Sequence, residues 1–185
     1  MAPSIYVVEN AVVFQTFHPS YKARLPPIRD VDWVEIHAST VLRTVLQTLG
    51  DGILYDAVTR LLLQRVPSAD MEMHTNLRTV LLQSLTLQHI LQSTGRSIPA
   101  RHRKPAANIL ETAVGALSRR IDDDTVFAWV ADAFGPLVDA ALEVYQSAEK
   151  TAVKRKPDWY WQEVDERPVS KRQNSSIFNS SALDS

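Results

Sequence analysis

Between Ile109 and Tyr145 the chain reads ILETAVGALSRRI, then DDD, then TVFAWVADAFGPLVDAALEVY. Apolar residues in both stretches recur at helical spacing, which marks one face of an α-helix. Asp122, Asp123 and Asp124 between them favour a helix N-terminus, because carboxylates interact well with the positive end of the helix dipole. The pattern predicts two long helices packed as an antiparallel pair, with Trp129 near the start of the second.

The same period extends upstream. Asp32 is placed as an N-cap with Glu35 in capping-box position, and Val34, Val41, Leu42, Val45, Leu46 and Leu49 follow at helical spacing. Gly50-Asp51-Gly52 is expected to break or bend that segment. A second helix is expected from about Ile53 to Val66, ended by Pro67. After a short corner, Asn76 is expected to open a third helix and Gly95 to stop it. The stretch RSIPARHRKPAA reads as a basic connector with at most one helical turn. Near the start, IYVV and AVVF suggest a short strand or an extended arm, and Pro19, Pro26 and Pro27 mark loop.

These readings predict an all-α chain of about five to six helices, with an N-terminal arm over 1–31, a helical domain over 32–150 and a polar tail over 151–185. The tail is charged and serine-rich, a composition expected to order poorly. Trp159, Tyr160 and Trp161 interrupt it with an aromatic cluster suited to docking on the domain or on a partner.

Composition narrows the function. With 20 Lys+Arg against 21 Asp+Glu the chain is near neutral, which argues against a nucleic-acid binder. The absence of cysteine excludes disulfides, thiolate metal sites and cysteine nucleophiles. No signal peptide is recognisable, and the longest apolar run, placed at Leu77 to Leu91, is broken by Arg78, Gln83, Gln88 and His89. A cytoplasmic protein without a membrane span is therefore expected. No phosphate loop, nucleophile elbow or His-Glu metal motif occurs, so an enzyme working without a cofactor is not expected.

Three segments carry a resemblance. Val58 to Met73, with Pro67 inside it, is similar to a globin segment in which a helix ends in apolar pairs and a proline starts the next turn. Ala128-Trp129 and Phe134-Gly135 resemble the last helix of bacterial and flavohaemoglobin-type globins, and Lys104-Pro105 with Asn108-Ile109-Leu110 resembles the lead-in to the penultimate one. The resemblance spans about residues 40–150 and implies a globin-like helical domain.

It also implies a haem, which needs a proximal imidazole held by a second hydrogen bond. The family's histidine position falls on Ile98, its pocket phenylalanine on Met73, and its distal tyrosine near Thr59. His102, among Arg101, Arg103 and Lys104, is the candidate iron ligand; neighbouring cations would keep it neutral and able to ligate. His89 is the alternative haem contact, and Met73 and Thr59 would line the pocket. With three pocket positions lost together, the expected function is a sensory or protein-interaction module with a degenerate haem pocket, taking a protein partner or an apolar ligand. The alternative is a globin that binds oxygen or nitric oxide through His102 or His89. Homodimerisation is left open.

Overall fold

Six helices run through residues 2–24, 29, 40–94 and 103–154, which the computed structural model describes. They are α1 (Ile5–Thr16), α2 (Thr40–Arg65), α3 (Met71–Leu82), α4 (Ser84–Ser93), α5 (Arg103–Ser118) and α6 (Asp123–Lys154). No strand occurs among the described residues, so the fold is all-α, with six helices among the described residues. The expectations placed on Asp32, Glu35, Gly95, Ile98, His102 and Trp159-Tyr160-Trp161 concern residues outside the described set.

The strand or arm expected at the N-terminus is helix α1 instead. Its β-branched residues suit a strand, but no partner strand exists among the described residues, and the helical period aligns Val8, Val12 and Thr16 on one buried face. Val8 and Val12 belong to the same core cluster as Leu54, Leu91 and Val138. The arm is thus part of the domain. Tyr21 fastens the chain that follows α1: it is buried, and its hydroxyl donates to the Ala133 carbonyl of α6 at 3.0 Å. Burial pushes this phenol up, and the charge of Asp132 adds to the shift.

Gly50-Asp51-Gly52 does not interrupt α2 either. A methyl group on Gly50 would collide with the Glu111 carbonyl of α5 and lie 2.8 Å from the Gly115 nitrogen, and one on Gly115 would collide with the Leu46 carbonyl. Gly50 and Gly115 therefore let two helix backbones touch, and packing outweighs the roughly 1 kcal/mol that a mid-helix glycine costs. This seam is the most extensive contact among the described helices, whereas α5 and α6 touch only sparingly. The expected closing pair is corrected accordingly: α5 spends its small-residue face on α2, and α6 is occupied by α1 and α2.

At the edge of the seam Gln47 donates from Nε2 to Glu111 Oε2 at 3.0 Å. Burial raises the Glu111 carboxyl above its ordinary value, the Gln47 bond opposes the rise, and the charge of Asp51 adds to it. A raised folded-state value means that this group favours folding fully at low pH, and the contribution is lost as pH climbs through that value. Glu111→Gln keeps an acceptor for Gln47 and removes the titration. The urea midpoint of the variant should therefore exceed that of the wild type at pH 7 and match it near pH 4. Equal midpoints at both pH values would contradict this account.

The third helix expected from Asn76 is two helices. Asp70 is the N-cap of α3, accepting from the Met73 amide at 2.8 Å, and Asn76 bonds Tyr145. Gln83 adopts an extended conformation and divides α3 from α4. The buried Thr86 hydroxyl closes the break by donating to the Val80 carbonyl at 2.7 Å, so an orphaned helix-end acceptor is satisfied. Asp122 caps α6 as the aspartate run predicted, accepting from the Thr125 amide at 2.7 Å and from its hydroxyl at 3.0 Å. These bonds hold its carboxyl below the ordinary range.

The longest apolar stretch is also not Leu77 to Leu91. Asp123–Thr151 is long and apolar enough to cross a membrane by length and composition, and half of its apolar window is buried inside the bundle. Ala133, Phe134, Leu137, Val138 and Ala141 supply that buried face.

Candidate functional site

The residues singled out for a haem pocket lie in different places. Thr59 is on α2, donating to the Tyr55 carbonyl at 2.7 Å and accepting from Arg78 Nη1 at 3.5 Å. The Arg78 guanidinium sits 4.6 Å from the centre of the Tyr55 ring, so Thr59 belongs to a polar bridge between α2 and α3. His89 is half-buried on α4, with its ring edge-on to Phe17 and the centroids 4.6 Å apart. Met73 is half-buried on α3 and packs against the core. No cavity described below is lined by more than one of these residues. His102, the fourth, is outside the described residues.

Met73 lines a small cleft of about 190 Å³ with Asn76, Tyr145, Asp70, Glu72 and Glu149. Burial pushes the Tyr145 hydroxyl up, its bond with Asn76 opposes this, and the charges of Glu72 and Asp70 reinforce it. Among the described residues no cluster of three or more His, Asp or Glu could hold a metal ion. The cleft is an acidic, hydrogen-bonding corner.

Two larger grooves are apolar. The first, about 680 Å³, lies between α2 and the start of α6. Val45, Leu49 and Ile53 form one wall and Val126 and Phe127 the other, with Asp56, Arg60 and Asp123 at the rim. Arg60 and Asp56 pair at 2.8 Å. Val41, Val45 and Leu49 repeat every four residues, the spacing of one helix face, and Val41 and Val45 are 77% and 59% exposed. The second groove, about 1010 Å³, lies between α1 and the C-terminal half of α6.

The sequence carried signals for both, but they resembled core signals. Val41, Val45, Leu46 and Leu49 all count towards one apolar face, yet Leu46 is buried against α5 while the other three are exposed. Which part of a broad apolar face is covered depends on where the neighbouring helices stop. No family model and no curated protein matches this chain.

Proposed function

We propose that the domain is a protein-interaction module whose α2–α6 groove takes an apolar helical segment of a partner. The observation that carries this reading is the exposed pair Val45 and Leu49 lining a cavity of about 680 Å³, with the exposed Val41 one turn further along the same helix face. Large apolar side chains gathered on an open groove are the usual mark of an interaction surface, and a row at four-residue spacing suits helix-in-groove recognition. The globin-like reading with a degenerate haem pocket is compatible with such a module, because the bundle interior is filled by Leu54, Leu61, Leu91, Leu110 and Phe134. A cytoplasmic location belongs to the same proposal.

The test uses an anilinonaphthalene sulfonate probe competed by an amphipathic peptide with leucines at helical spacing. Val45→Asp combined with Leu49→Asp should reduce probe binding at least tenfold, about 1.4 kcal/mol, while far-UV circular dichroism stays unchanged because both side chains are exposed. Undiminished binding in the folded double variant would move the site away from this groove. Titration with haemin tests the alternative. A Soret band that shifts with carbon monoxide and is lost in His89→Ala or His102→Ala would favour the oxygen- or nitric-oxide-binding globin.

A further inference from the structure

We propose that the groove between α1 and the C-terminal half of α6 docks a basic amphipathic helix of a partner protein. This inference is independent of the α2–α6 groove and stands or falls separately.

The groove is a valley between two antiparallel helices. Tyr21, just past α1, bonds Ala133, while Ala2 and Pro3, just before α1, share a cleft with Tyr145 and Glu149. Helix α1 therefore runs against the direction of α6. Val7, Ala11 and Phe14 line the α1 wall at i, i+4 and i+7, and Ala140, Val144 and Ala148 line the α6 wall at i, i+4 and i+8. Phe14 is 75% exposed and Val7 52%, so α1 turns Val8 and Val12 to the core and leaves a second apolar face open. The valley, about 1010 Å³ in volume, follows α6 from Ala140 to Thr151, roughly 16 Å or three helical turns. A third helix of that length, with its own apolar row facing down, fits such a valley.

Charge selects the partner. Glu143 lines the groove, and Asp70, Glu72 and Glu149 line the adjoining cleft, which shares Ala2 and Pro3 with it. All of these carboxylates are exposed, and no Lys, Arg or His lines either hollow among the described residues. A helix carrying Lys or Arg beside its apolar row answers that field, which steers its approach and fixes its orientation. The same sign of charge decides against other occupants. Anionic membrane surfaces attract basic faces and repel acidic ones, and nucleic acid needs cations against its phosphates. A second copy docked by two-fold symmetry would set the patch against itself, carboxylate facing carboxylate.

The test uses the full-length protein and two fluorescein-labelled helical peptides, one with leucine on one face and lysine on the other, the second with glutamate for lysine. Fluorescence anisotropy at low salt should show the lysine peptide binding at least tenfold tighter than the glutamate peptide. Glu143→Lys with Glu149→Lys should abolish that preference. Asp51→Lys with Asp124→Lys makes the same charge change at exposed positions outside the groove and should preserve it. Val7→Ser with Phe14→Ser should weaken the lysine peptide about tenfold, about 1.4 kcal/mol, whereas Val45→Ser with Leu49→Ser should leave it unchanged. Equal affinity for the two peptides, or an equal loss in the two charge-reversed variants, would overturn the proposal. So would a loss confined to the Val45 and Leu49 variant, which would place the peptide in the α2–α6 groove. Binding to phosphatidylserine vesicles, or a dimer in sedimentation equilibrium, that Val7→Ser with Phe14→Ser removes would also overturn it, assigning the groove to a membrane or to a second copy.

Discussion

Gly115→Ala should lower the melting temperature by roughly 6–12 °C. The added methyl group would meet the backbone carbonyl of Leu46 and lie 3.1 Å from the Gly50 nitrogen. Neither atom can rotate away as a side-chain end could, so α2 and α5 must separate along the largest interface among the described helices. Overpacking usually costs 1–3 kcal/mol, and a backbone obstacle puts this case at the upper end, about 3 kcal/mol. For a domain of this size each kcal/mol shifts the midpoint by roughly 2–4 °C. Gly52→Ala is the control on the same helix. A methyl there meets nothing within 4 Å, so better helix propensity should stabilise the chain by about 0.5–1 kcal/mol. Opposite signs for two Gly→Ala changes, read by thermal denaturation, would support close backbone packing as the role of Gly115. A loss below about 1 kcal/mol at Gly115 would show that the seam can relax.

Phe134→Ala should cost about 3–5 kcal/mol, the usual range for emptying a phenylalanine site in a core. Phe134 is fully buried, and its ring meets Trp129 edge-on with the centroids 6.4 Å apart. It sits on the α6 face that packs inward, one residue before the Gly135-Pro136 step. Arg65 lies over Gly135, where an added methyl would stand 3.0 Å from its Nη2, and pairs with Asp139 at 2.9 Å. The cavity is bordered by a helix held on both sides, which limits its collapse. Phe14→Ala removes the same ring from an exposed position and should change stability by less than about 0.5 kcal/mol. Chemical denaturation of the two variants compares them directly, and a similar loss in both would contradict the burial assigned to Phe134.

The helical class was legible because period and capping are local properties. The apolar spacing through Leu54, Val58, Leu61 and Leu62, the stop at Pro67 and the aspartate cap of α6 all appear where they were read. The misreadings share one cause. Gly50 looks like a breaker in sequence because only a neighbouring helix gives it a reason to stay helical. IYVVENAVVF looks like a strand because nothing local says that Val8 and Val12 face α6 and α4. Asn76 looks like a cap, but its side chain is taken by Tyr145 from a helix some seventy residues away.

The candidate site was less legible for a related reason. Thr59 and Met73 were aligned by family spacing and His89 stood as the alternative haem contact, and the fold distributes them to a polar bridge, an acidic cleft and an aromatic contact. The grooves are lined by residues that read as core.

By itself the sequence determined that this protein is helical, roughly where five of the six described helices lie, and that no thiol chemistry is open to it, since periodicity, caps and composition belong to neighbouring residues. Only the tertiary structure decided that Ile109 to Tyr145 is not chiefly a mutual pair. Gly115 lets α5 reach the backbone of α2, while Phe134 and its neighbours give α6 to the core. Which apolar residues were left to line grooves followed from those long-range contacts.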